Sequence, residues 1–148
     1  MNIRRLNLAS SGKLKIPQIP PELLSQAMTK LEIFRAQGGI LTVDQISTVF
    51  TRLSGVDERK LKFLSLQDND LSSFPAEILL AEISGMEEVN LAGTQLTTEQ
   101  LTGIFTGLSA LEYHNLKTLN LSANNLSSVS TDILVAGTSG LEEWGGPS

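Results

Sequence analysis

Two stretches, LTVDQISTVFTRLS at residues 41–54 and LTTEQLTGIFTGLS at residues 96–109, place apolar residues three and four positions apart. Ile46, Val49, Phe50 and Leu53 in the first, and Leu101, Ile104, Phe105 and Leu108 in the second, therefore fall on one stripe of a helix. Thr42 with Gln45, and Thr97 with Gln100, precede the apolar runs in the pattern of a capping box, which predicts a helix start at each place. Between these helices the period changes to two. Leu64 and Leu66, Val89 and Leu91, and Leu119 and Leu121 alternate with polar residues, so each pair lies on one face of a short strand and points into a core.

The strand segments belong to a longer phrase, LxxLxLxxNxL. LKFLSLQDNDL from Leu61 and LKTLNLSANNL from Leu116 match it at every specified position. IRRLNLASSGK from Ile3 and MEEVNLAGTQL from Met86 keep its apolar skeleton, MTKLEIFRAQG from Met28 keeps the first half, and GLEEW opens a further copy at Leu141. Copies starting at 3, 28, 61, 86, 116 and 141 alternate short and long, so the true unit is a pair: 116 − 61 = 55 residues, and 86 − 28 = 58. PPELLSQAMTKLEI, PAEILLAEISGMEEV and STDILVAGTSGLEEW align as linkers of the short members, with Leu23, Leu24, Ile78, Leu79, Ile133 and Leu134 as core residues and Pro75 suited to a first helical turn. Each helical phrase recurs because every turn of a repeat array has to cover its own section of sheet.

These copies resemble the leucine-rich repeat family, and the steps with helical linkers look most like its ribonuclease-inhibitor-like branch. The resemblance implies an α/β leucine-rich-repeat solenoid, a horseshoe arc with a concave parallel sheet and convex helices, forming a single domain over residues 1–148. It also implies non-catalytic recognition of a protein partner through the concave face and adjoining loops.

Asn69 and Asn124 stand at the ninth position, where the strand must turn. Their amides suit a ladder that bonds otherwise unpaired backbone groups of neighbouring turns. Thr94 and Ser11 stand at that place in other copies, where they can satisfy fewer groups. The copy from Met28 departs from the rule: ten positions separate Leu31 from Leu41, against seven from Val89 to Leu96. The surplus falls in FRAQGGI, with Gly38 and Gly39, and reads either as a tolerated loop or as a presented contact element.

Charge and composition narrow the function. Eleven basic and 16 acidic residues give a net charge of −5, which offers no general attraction to nucleic acid or anionic membranes. No window reaches the roughly 18 apolar residues of a membrane span, and the start, whose arginines are followed by no sustained apolar run, is not expected to act as a signal peptide. The absence of cysteine excludes disulfides and thiolate metal sites and suits a reducing, cytoplasmic compartment. His114 is the only histidine, and neither a paired-histidine motif nor a phosphate loop is present, so no cofactor, metal site or catalytic residue is expected. Asn120 and Asn125 begin Asn-Leu-Ser sequons, which the repeat phrase itself generates.

The outward strand positions form columns. The third reads Arg5, Lys30, Phe63, Glu88, Thr118, Glu143; the fifth Asn7, Glu32, Ser65, Asn90, Asn120; the seventh Ala9, Phe34, Gln67, Ala92, Ser122. Phe34 and Phe63 with Arg5, Lys30 and Arg35, extended by Gln67 and Glu88, are the expected partner-binding cluster, since aromatic and arginine residues dominate interface hot spots. The alternative has Phe34 folding inward in an irregular copy. At the far end Trp144 falls where a core leucine belongs, so it either covers the last repeat or mediates self-association between terminal repeats. The competing functional class is accordingly a structural unit of a longer array.

Overall fold

Alternating apolar residues build six short strands: β1 (Arg5–Ala9), β2 (Ile33–Gln37), β3 (Phe63–Ser65), β4 (Glu88–Asn90), β5 (Thr118–Asn120) and β6 (Glu143–Gly145). A computed structural model describes residues 5–9, 31–37, 43–54, 60–110, 116–124, 126, 129–138 and 141–145. The strands make one sheet in chain order, every neighbouring pair parallel. Parallel neighbours need a crossover. Helices α1 (Val43–Ser54), α2 (Ala76–Ser84), α3 (Thr98–Ala110) and α4 (Thr131–Thr138) follow β2, β3, β4 and β5 respectively.

The strand leucines and helix stripes meet in one core. Leu64, Leu66, Val89, Leu91, Leu119 and Leu121 are buried against Ile46, Val49, Phe50, Leu101, Ile104, Phe105 and Leu108. Fully burying each such side chain stabilises by about 1.5–3 kcal/mol. In the short members Leu79 and Ile83 are buried, whereas Ile78 is exposed and Ile133 and Leu134 are only partly buried. Pro75 is the N-cap of α2 rather than a first-turn residue, and its carbonyl accepts from the N–H groups of Ile78 and Leu79.

The pairing corrects the reading of the second copy. Ile33 lies opposite Phe63, Phe34 opposite Leu64 and Arg35 opposite Ser65. The copy therefore starts at Leu31, not Met28, and Leu31, Phe34 and Ala36 are all 0% exposed. A shift of three residues is an odd number, so it turns every side chain of the strand to the other face. Phe34 to Leu41 is then seven positions, as Val89 to Leu96 is, and the apparent insertion at FRAQGGI disappears. The pair repeat becomes uniform, with 86 − 31 = 55 matching 116 − 61 = 55. The three surplus residues move to the first copy, where Leu6 precedes Pro20 by 14 positions while Leu64 precedes Pro75 by 11.

Strands β3, β4 and β5 each leave the sheet through a left-handed residue. Asp68, Gly93 and Ala123 have φ of 65°, 65° and 59° at the eighth position of their copies. At Gly93 a side chain would be strained by the positive φ, as at Asp68 and Ala123, and its Cβ would in addition sit 2.3 Å from Asp68 Oδ1, so the Asp68 side chain would have to move. The next residue turns inward. Asn124 Nδ2 donates to the carbonyls of Leu91 (2.8 Å) and Leu121 (3.2 Å), while its Oδ1 accepts from Leu96 N–H (3.0 Å). Asn69 Nδ2 donates to the Ala36 carbonyl of the preceding copy and to Leu66 O. Thr94 is no looser in burial, at 0% exposed; its hydroxyl donates to Leu91 O (2.7 Å) and also reaches Asn124 Oδ1 at 3.5 Å.

The capping box at α3 forms in both directions: Gln100 N–H donates to Thr97 Oγ1 (3.2 Å), and Thr97 N–H donates to Gln100 Oε1 (2.8 Å). The same glutamine reaches back across the turn, its Nε2 donating to the carbonyls of Leu71 and Phe74. Helices α3 and α4 pack directly against each other. There Gly137 is buried so tightly that an added Cβ would lie 2.7 Å from the Phe105 ring and 2.8 Å from its carbonyl oxygen.

Candidate protein-recognition face

The strands turn their alternate residues away from the helices, and the corrected register decides which residues these are. The third-position column reads Arg5, Ile33, Phe63, Glu88, Thr118, Glu143, and the fifth Asn7, Arg35, Ser65, Asn90, Asn120, Gly145. Phe34 is not on this face; it is a core residue beneath it. Lys30, Gly38, Gly39, His114, Asn125 and Ser11 lie outside the described residues. Of Arg5 only the backbone is described, opposite Ile33 on β1.

Arg35 and Phe63 are brought together. The guanidinium carbon of Arg35 sits 4.6 Å from the centroid of the Phe63 ring, a cation–π stack across adjacent strands in which both side chains are half-buried. Arg35 Nε is covered and has no hydrogen-bond partner among the described residues, so the ring offsets part of its lost hydration. Ile33, directly opposite Phe63, extends the apolar floor, and Glu88 lies in register on the other side.

An open trough of about 650 Å³ runs beside this pair, lined by Ile33 and Phe63 at its floor and by Glu32, Lys60, Lys62, Glu87 and Glu88 around it. Both charge signs thus ring one apolar patch. Along the face from β2 to β6 the charged residues are Arg35 on β2 and Glu88 and Glu143 on β4 and β6. Towards the ends of the strands the surface is neutral and polar. Asn90 Nδ2 donates to Gln67 Oε1 (3.2 Å), and Asn120 Oδ1 accepts from the N–H (3.0 Å) and hydroxyl (2.7 Å) of Ser122. That second contact engages the hydroxyl of the Asn120 sequon.

Ile33 escaped the sequence reading because the second copy was placed in the wrong frame, which put Lys30 and Glu32 in the outward columns instead; Lys60, Lys62 and Glu87 stand beside or between the columns of correctly framed copies. One signal did point to the right frame: PPELL and PAEIL are offset by 75 − 20 = 55, which already sets Leu31 against Met86. Among the described residues no group of three or more His, Cys, Asp or Glu side chains could hold a metal ion, and no helix is long and apolar enough to cross a membrane.

Residues 115–135, spanning β5 and the start of α4, match the Leucine Rich Repeat family model, which supports a leucine-rich repeat protein. That motif generally mediates protein–protein interaction. No curated protein and no solved structure matched the chain.

Proposed function

We propose that this chain is a non-catalytic protein-recognition module, an arc-shaped leucine-rich-repeat solenoid of the ribonuclease-inhibitor-like kind that meets a protein partner with its open sheet face and adjoining loops. The branch is supported by the corrected steps, 61 − 31 = 30 and 86 − 61 = 25, and by the helix that follows each of strands β2 to β5. The reading as a non-enzyme rests on a sequence without cysteine and with one histidine, which offers no nucleophile–base pair of familiar spacing.

The observation that carries the proposal is the Phe63 ring, stacked by Arg35, on the floor of a trough rimmed by lysines and glutamates. A held aromatic and an arginine, ringed by charges that fix orientation, is the composition of a binding hot spot. The mixed rim selects a partner segment that carries both charge signs around an apolar anchor.

The test is affinity capture from source cells, followed by cross-linking mass spectrometry, comparing wild type with an Arg35→Glu, Phe63→Ala double variant whose circular dichroism is unchanged. Retention by wild type, with cross-links to Lys60 or Lys62 that vanish in the variant, supports the assignment. Identical capture by both proteins rejects this face as the contact surface.

A further inference from the structure

Along the sheet, the carbonyl of the second residue in the second to fifth copies accepts two N–H groups from the next strand. Glu32 O takes Lys62 and Phe63 (2.9 and 3.2 Å), Lys62 O takes Glu87 and Glu88 (2.9 and 3.0 Å), Glu87 O takes Lys117 and Thr118 (2.8 and 3.1 Å), and Lys117 O takes Glu142 and Glu143 (2.8 and 3.0 Å). Glu142 supplies the next oxygen in this series, and among the described residues no strand lies beyond β6 to use it. The core column changes at the same place. Phe34, Leu64, Val89 and Leu119 are buried, but Trp144, paired with Leu119, is 37% exposed, with its ring edge-on to Phe105 at 5.8 Å. Val135 on α4 is 63% exposed, and Leu141, Ile133 and Leu134 are only partly buried. A strand edge flanked by uncovered apolar side chains is a template for further strand addition.

We propose that a second copy of this chain adds its β1 in parallel to β6, so that copies associate head to tail by continuing the sheet. Continuing the register sets Arg5 of one copy against Glu143 of the other, Leu6 against Trp144 and Asn7 against Gly145, because Arg5 and Glu143 occupy the same position in the column that runs through Ile33, Phe63, Glu88 and Thr118. The residues at this position on the two sheet edges thus carry opposite charges. Joining two β6 edges would instead bring the Glu142 and Glu143 pairs of both copies together, like against like. A head-to-tail contact of this kind does not close on itself, so it produces an open series of sizes rather than a dimer. The contact uses the sheet edges and none of the residues that line the trough.

Sedimentation velocity of the 148-residue chain over a wide concentration series tests the proposal, with fluorescence of Trp144, the single tryptophan, as a local reporter. The expected result is a mean mass that climbs past the dimer without a plateau, a blue shift of Trp144 emission in step with it, and weakening as salt is raised. Arg5→Glu and Glu143→Arg, each checked by circular dichroism, should each weaken association by about fivefold to tenfold. An equimolar mixture of the two variants restores it, because each then meets an edge of opposite charge. A constant monomer mass, a plateau at dimer, or variants whose defect is not repaired by mixing overturns the proposal. If either variant fails to fold, the wild-type mass series and its salt dependence still decide, since salt-insensitive association contradicts the charge pairing.

Discussion

Truncating Asn124 to alanine removes contacts that can be followed one by one. The carbonyl of Leu91 keeps the Thr94 hydroxyl at 2.7 Å, and the carbonyl of Leu121 keeps the backbone N–H of residue 124 at 3.3 Å. Leu96 N–H loses the Oδ1 acceptor that stood 3.0 Å away, inside a residue only 4% exposed. An orphaned buried donor costs about 1–3 kcal/mol and each forfeited bond about 1 kcal/mol, so Asn124→Ala is expected to cost about 3–5 kcal/mol. That is a large fraction of the roughly 5–15 kcal/mol that holds an ordinary domain together. Asn124→Thr should recover about 1 kcal/mol of it, because a threonine at the equivalent place, Thr94, bonds the carbonyl three residues before it. Urea unfolding followed by both far-ultraviolet circular dichroism and Trp144 fluorescence measures the loss. Separation of the two transitions would show that the β5 turn couples the last strand to the rest of the array. A loss below about 1 kcal/mol with an unchanged denaturant slope would refute the ladder argument, since water would then be replacing the amide at no cost.

Three further predictions follow from other turns and contacts. Gly137→Ala should destabilise by about 1–3 kcal/mol in the same assay, since the new Cβ meets the ring and backbone of Phe105 and α4 must move off α3; Gly107→Ala should cost less, because its nearest obstacle is the end of the Leu80 side chain. Ala123→Gly should stabilise by about 0.5–1 kcal/mol, the relief of a left-handed alanine at φ 59° less the added freedom of glycine in the unfolded chain. The Asp70 carboxyl is held below its ordinary value of 3.8, first by the Ser72 hydroxyl (2.6 Å) and then by the Ser72 N–H (2.9 Å), so an NMR titration should show it rising towards that value in Ser72→Ala. Because the folded value is the lower one, the stability this turn supplies is complete above the unfolded value and drains as pH falls through the folded one; the variant should lose less on acidification.

The sequence alone determined the elements that depend on local pattern. The helical stripes through Ile46, Val49 and Phe50 and through Leu101, Ile104, Phe105 and Leu108 are buried where their period places them, and the Thr97–Gln100 cap forms as its spacing requires. The strand pairs Leu64 with Leu66 and Leu119 with Leu121 were equally legible, because both stand in copies that match LxxLxLxxNxL at every specified position. The second copy was not. LEIFRA offers two frames, Leu31 with Ile33 or Phe34 with Ala36, and local alternation supports the first.

Tertiary packing chose the second frame. It buries the larger Phe34 over the smaller Ala36, aligns Leu31 with Leu61, and gives α1 the same seven-residue approach to the sheet that α3 has. The candidate site follows from that choice, since the frame that turns Phe34 inward is the one that lifts Arg35 onto Phe63 and sets Ile33 beside it. Periodicity within a segment reports which residues share a face, but which face meets the core is decided by the neighbouring strands, whose hydrogen bonds fix the register and whose side chains must fill the space between sheet and helices.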